Sequence, residues 1–217
     1  MSSRDHILER LRQRRRTTQP APEGNAGPVL ASPCCTLDQK LARFQAAMEA
    51  VHGEVLDCRD RDWVTMLADW LQARRIRTLL VGNGREPLAS LSSSSAGLPE
   101  LIRYDEPAEN WQNYLFDQVD AGLTTTRGGI AETGSLILWP DTAEPRLISL
   151  APPVHIALLK ASDLYGTFAD AIRAQNWSSA MPANALLISG PSRTADIEQT
   201  LAYGVHGPRE LLVLVTS

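Results

Sequence analysis

From residue 78 onward, short apolar runs alternate with helical patterns, and this alternation limits the chain to few folds. Thr78-Leu79-Leu80-Val81 stops at Gly82-Asn83-Gly84, and Leu136-Ile137-Leu138-Trp139 stops at Pro140. Leu101–Tyr104, Leu147–Leu150, Val154–Leu159, Ala185–Ile188 and Leu211–Val215 are further runs of strand length. The tandem Pro152-Pro153 separates two of them, because proline cannot donate within a ladder. Helical spacing falls between the runs. Trp111–Val119 reads as a short helix, Ser162 opens one with Leu164, Phe168 and Ile172 on a face, and Thr194–Tyr203 reads as another. Leu91–Ser95 reads as a serine-rich loop. Upstream, Leu37, Leu41, Phe44 and Met48 form one apolar helix stripe, and Trp63, Leu67, Trp70 and Leu71 a second. Arg74 and Arg75 suit the end of that second helix, where the dipole favours cations. Strands interleaved with helices predict an α/β domain of three layers around a mostly parallel sheet.

The expected division is a basic helix and proline-rich arm over 1–36, then a single α/β domain over 37–217. Residues 1–17 hold Arg4, Arg10, Arg12, Arg14, Arg15 and Arg16 against Asp5 and Glu9, and Ile7, Leu8 and Leu11 give them a short amphipathic pattern. Pro20, Pro22, Pro28 and Pro33 follow, with Gly24 and Gly27. The whole chain carries a formal charge of -4, so the part after the arginines is acidic and nucleic acid is not an expected partner. An RNA-associated role through the arginines remains an alternative. No run approaches the ~20 apolar residues of a membrane span, and the start lacks the apolar core of a secretory signal. Three cysteines are too few for a disulfide framework, so a cytoplasmic location is expected. They are also too few for a four-thiolate iron–sulfur centre within one chain. Neither C-x-x-C nor H-x-x-x-H occurs, so no metal site is expected, and no dinucleotide fingerprint occurs, so no cofactor is expected.

Three segments could carry chemistry. Ser189-Gly190-Pro191-Ser192-Arg193-Thr194 lies between a strand and an expected helix start. Free N–H groups there, with Arg193 beside them, would hold a small anion beyond the strand's carboxyl end. The other reading is a Gly-Pro turn with Ser192 or Thr194 as N-cap. Thr124–Ser135 is the second segment. Arg127, Gly128, Gly129, Thr133 and Gly134 would allow close backbone approach to a ligand, and Glu132 would supply a carboxylate nucleophile or base. Its other reading is a hairpin with Glu132 paired to an arginine. The third is Gly204-Val205-His206-Gly207-Pro208, where His206 could transfer a proton and Gly207 border a ligand. His155 lies inside a strand run, and a lone histidine there reads first as structural.

Together these segments resemble one family. Ile130-Ala131-Glu132-Thr133-Gly134-Ser135-Leu136-Ile137-Leu138 is similar to the A-E-T-G-[ST]-L-x-L segment of the lactate utilization protein C family. Ile188–Glu198 is similar to its I-S-G-P-S-x-T-x-D-I-E run, and Gly204–Pro208 to its G-x-H-G-P loop, in the same order. The approach at Thr124–Gly129 is richer in glycine than the family pattern. The resemblance implies a fold like that of sugar-phosphate isomerases, CoA transferases and formyltetrahydrofolate cyclo-ligases. It also implies a place in a system oxidising L-lactate to pyruvate, with iron–sulfur proteins as partners and this chain as a non-redox or small-anion-binding subunit. The alternative is an independent enzyme of CoA-transferase or ligase type that uses Glu132. The three segments are expected to meet around one cleft at an end of the sheet.

Overall fold

The computed structural model describes residues 4–10, 36–83, 90–92, 94, 97–104, 115, 118–195, 201–203 and 207–217, with backbone only for 194–195 and 201–203. The chain divides into two units, 1–31 and 32–217. In the first, residues 4–10 are helical and Ile7 and Leu8 are exposed. Among the described residues no helix is long and apolar enough to cross a membrane.

The second unit opens with α1 (Leu37–Glu49). Thr36 accepts from the Gln39 N–H while the Gln39 side chain accepts from the Thr36 N–H, a reciprocal cap that satisfies two orphan donors. Then come β1 (Glu54–Asp57), α2 (Trp63–Ala73), β2 (Thr78–Val81), β3 (Glu100–Arg103), β4 (Ala121–Thr125), β5 (Gly128–Ile130) and β6 (Ser135–Leu138). After these follow α3 (Leu147–Leu150), β7 (Val154–Lys160), a 3₁₀ turn (Ala161–Asp163), β8 (Leu164–Tyr165), α4 (Phe168–Ala174), β9 (Leu186–Ile188), β10 (Arg193–Ala195), β11 (Leu201–Tyr203) and β12 (Glu210–Thr216).

Six strands form one sheet in the order β1-β12-β7-β4-β2-β3, and every pair in it is parallel. Its central strands are apolar on both faces, as a sheet covered on both sides requires. On one face, Leu212 and Leu214 of β12 and Val154, Ile156 and Leu158 of β7 pack under Val64, Leu67, Trp70 and Leu71 of α2. On the other, Leu211, Val213 and Val215 with Ala157 and Leu159 meet Leu41, Phe44 and Met48 of α1.

A second sheet, ordered β8-β5-β6-β9, grows out of the first. The adjacent strands β4 and β7 run on past their carboxyl ends into β5 and β8, which stay paired in parallel, and β6 and β9 add antiparallel. Leu136 and Leu138 of β6 complete the core beneath α1. Ile130 and Ile137 face the other way, onto Ala171 of α4 and Trp177.

Three elements differ from the sequence expectation. Leu147–Leu150 is a helical turn, not a strand: the N–H groups of Ile148 and Ser149 donate back to the Pro145 and Arg146 carbonyls, and Ile148 lies against β4 at Gly122, where a Cβ would collide with the Ile148 carbonyl. The expected helix at 194–203 is instead the hairpin β10–β11, with Arg193 opposite Tyr203 and Ala195 opposite Leu201. The helix expected from Ser162 begins at Phe168, because Leu164 and Tyr165 are taken up as a strand beside β5. The expected helix over 111–119 falls almost wholly outside the described residues.

Candidate functional site

A cleft of about 210 Å³ opens at the amino ends of β7 and β12. Ser149 and Leu150 of α3 border it on the approach to β7, and Gly207 and Pro208 on the approach to β12. His155 and Leu211, each second in its strand, also line it, and the loop after β9 closes it with Ser189, Gly190, Pro191 and Ser192. The loop is fixed at both ends. The Ser192 N–H donates to the Pro208 carbonyl at 2.8 Å. Gly207 lies so near Ser192 that a Cβ would stand 3.0 Å from the serine Cβ. Gly190, at φ +132°, presses on Val51 beyond the end of α1.

His155 is 1% exposed. Strand parity turns it to the α1 face, where its Nε2 lies 2.8 Å from the buried Thr124 Oγ1 on the neighbouring strand. Among the described residues its Nδ1 has no partner. Burial pushes the imidazole down to about 3, so the ring is neutral at physiological pH.

Of the residues expected to bind a ligand, Ser189, Gly190, Ser192 and Gly207 border this cleft. Arg193 lies one residue beyond, exposed, and pairs with Tyr203 in β10–β11, as does Thr194 with Ala202. The pairing removes the helix N-terminus on which the anion cradle depended. His206 lies outside the described residues. The loop does follow the carboxyl end of β9, but β9 belongs to the second sheet and delivers it to the amino ends of β7 and β12 in the first.

Arg127–Ser135 forms the hairpin β5–β6 rather than a wall of the cleft. Glu132 and Thr133 sit exposed in its turn, with the Glu132 N–H donating to the Gly166 carbonyl at 3.1 Å. The Arg127 guanidinium stacks 4.6 Å over the Trp139 ring. The glycines serve close approach to the chain itself. A Cβ on Gly128 would strike the Asp163 carbonyl, one on Gly129 would strike Leu164, and one on Gly134 would strike Ala47 of α1. One hydroxyl relay joins hairpin to cleft: Thr133 Oγ1 and Ser135 Oγ are 2.7 Å apart, and Ser135 Oγ and Ser189 Oγ 2.6 Å. Among the described residues the expected meeting of three segments is therefore a meeting of 189–192 with 207–208, joined to the hairpin through Ser135 and through the pairing of β6 with β9.

Sequence reasoning missed Ser149 and the contact of Thr124 with His155. A histidine inside an apolar strand was the visible signal, but only the register with β4 and β12 shows what surrounds it. At the opposite, carboxyl edge, the buried Glu144 accepts from the Thr125 N–H at 2.9 Å and from its hydroxyl, which pins the segment before α3 to β4.

A six-stranded parallel sheet between helices, extended by a mixed sheet from its central strands, defines an open α/β protein. Residues 41–216 match the LUD domain, and the chain belongs to the LUD domain family. It is 36% identical over 181 residues to the uncharacterized protein NMB1437 of Neisseria meningitidis, covering 81% of this chain and 76% of that one. It is 38% identical over 178 residues to Lactate utilization protein C 1 of Bacillus mycoides, covering 79% and 76% respectively. Matches to other proteins named Lactate utilization protein C take in about half of their length. The crystal structure of a DUF162 family protein from Deinococcus radiodurans shares the fold, with a TM-score of 0.62 at 21% identity, over 84% of this chain and 99% of that one.

Proposed function

We propose that the chain is a component of a lactate utilization system that oxidises L-lactate to pyruvate, and that it works there as a non-redox accessory subunit beside iron–sulfur partner proteins. The observation that carries this reading is the 38% identity to Lactate utilization protein C 1 across 79% of the chain. The cysteines agree with it. There are three, and burial pushes the thiol of Cys58 up to about 11, away from the thiolate that a cluster requires. The rival reading, an independent enzyme with Glu132 as nucleophile, draws no support from a carboxylate exposed in a hairpin turn. The ligand contacts of the accessory subunit belong to the cleft formed by Ser189, Gly190, Ser192 and Gly207.

The test is capture of the tagged full-length chain from its own host grown on L-lactate. Co-purified protein should show an iron–sulfur signal by electron paramagnetic resonance that responds to added L-lactate. A tagged chain recovered without cluster-bearing protein under those conditions would refute the accessory role.

A further inference from the structure

We propose that the outer edge of β9 is a self-association surface, on which two copies of the chain pair antiparallel about a two-fold axis at Leu187. The register of the second sheet sets which groups β9 turns outward. The Arg127 N–H donates to the Ile137 carbonyl at 2.7 Å, so the main-chain groups of Ile137 point to β5. In an antiparallel ladder both backbone groups of a residue point to the same side, and successive residues alternate. Leu136 and Leu138 therefore point theirs to β9, and Leu187, opposite Ile137, directs its own N–H and C=O away from β6. Strand β9 is the last of its sheet, so among the described residues these two groups have no ladder partner.

An open edge is a template for pairing with another chain, and monomeric proteins guard edges with charge or a covering group. This chain guards its other sheet edges. On β1, Glu54 and Asp57 are ion-paired with Arg74 and Arg59. On β3, Glu100 and Arg103 stand exposed. At β8 the Lys40 ammonium donates to the Leu164 carbonyl at 3.3 Å. The edge at β9 lacks such a guard, because residues 174–192 contain no Asp, Glu, Lys or Arg. It presents apolar surface instead: Leu187 is 48% exposed and Met181, in the segment leading to β9, 69%. A bare apolar edge on a chain that guards the others fits an edge closed by assembly.

The occupant that this edge fits is a second copy. A two-fold axis sets each strand against itself, so a charge near the axis meets its own sign. The charge-free run from 174 to 192 avoids that repulsion. With the axis at Leu187, its N–H and C=O exchange both hydrogen bonds with the partner's Leu187. The next outward pair is Ala185 with the partner's Ser189. Leu187 shares the sheet face of Ile137, which packs with Trp177. The two Leu187 side chains then meet on that face, with Cα atoms ~5.5 Å apart, and each covers exposed surface of the other. Pairing between two short strands buries less than a standard interface, so the dimer should be reversible, with a Kd on the order of 10 µM.

The experiment is sedimentation velocity on the full chain at about 1 to 200 µM, a range that brackets this Kd. The unaltered chain should pass from monomer to dimer as concentration rises. Leu187→Lys brings two ammonium groups together at the axis, and the Kd should rise at least about tenfold. The replaced side chain is half exposed, so the circular dichroism spectrum should stay native. Residue-resolved hydrogen exchange reads the same edge without a substitution, and decides alone should the variant fail to fold. The Leu187 amide should exchange about tenfold more slowly in the concentrated chain than in the dilute one. The Leu186 and Ile188 amides point to β6 and should exchange alike at both concentrations. A chain that stays monomeric at about 200 µM overturns the proposal. A dimer that Leu187→Lys leaves intact overturns it too, because the contact then lies elsewhere. Protection of the Leu187 amide in the monomer overturns it equally, because another segment of the chain then covers the edge.

Discussion

Gly134 is where the β5–β6 hairpin meets the end of α1, and replacing it with alanine separates a packing glycine from a ligand-binding one. Its φ is +62°, a conformation that costs an L-residue ~1–2 kcal/mol. A Cβ built there would stand 2.8 Å from Ala47 Cβ and 2.9 Å from the Met48 backbone nitrogen. Neither atom belongs to the far end of a flexible side chain, so the hairpin or the helix must move. Overpacking of this kind costs ~1–3 kcal/mol. Gly134→Ala should therefore destabilise the domain by roughly 2–5 kcal/mol. At ~2–4 °C per kcal/mol for a domain of this size, Tm should fall by about 4–20 °C. Urea unfolding followed by tryptophan fluorescence measures the free energy, and a thermal melt measures the Tm. Glu132→Gln, two residues away in the same turn but exposed, is the control and should stay within about 0.5 kcal/mol. A Gly134→Ala chain as stable as the control would refute the packing argument and return the glycine to a ligand role.

His155 should make stability depend on pH. Its folded value of about 3 lies below the ordinary 6.5, so below pH 6.5 the unfolded chain binds a proton that the folded chain refuses. Stability is full above pH 6.5 and falls as pH drops toward 3, by up to ~1.4 kcal/mol per pH unit from this group. Urea midpoints for His155→Phe should show a correspondingly shallower slope between pH 6 and pH 4, and equal slopes would contradict the assignment. Cys58, buried with its thiol raised, should resist alkylation in the native protein at pH 8 and react after denaturation; rapid labelling of Cys58 by mass spectrometry would count against that burial. Removing residues 1–31, which carry the arginines and much of the proline, should leave Tm within about 2 °C, and a larger fall would mean that this segment packs on the domain.

Much of the sheet was legible because a strand covered on both faces has to be apolar throughout. Thr78–Val81, Val154–Lys160 and Glu210–Thr216 could be read within a residue or two for that reason. The helices α1 and α2 declared themselves through apolar residues three and four apart. The short edge strand Glu54–Asp57 escaped notice, since only Val55 in it is buried. Strand β4 was hidden by Gly122 and Thr124, small or polar residues required by the close approach of α3 and the contact with His155. At 193–203, Thr-Ala-Asp-Ile-Glu carries the signature of a helix start, yet the two ends pair across a hairpin, a preference that only the partner strand reveals. The site was legible in part for the same reason. The Ser-Gly-Pro-Ser and Gly-Pro loops announced themselves through turn residues, while His155 looked like any strand histidine until register set it between Gly122 and Leu211, within reach of the Thr124 hydroxyl.

The place of this chain in lactate oxidation is tested most directly by growth of its host lacking the corresponding gene, with L-lactate as the carbon source. The account predicts that growth on L-lactate is lost, that growth on pyruvate is unchanged, and that the full chain supplied in trans restores the first. Normal growth and normal L-lactate consumption in the deleted strain would contradict it.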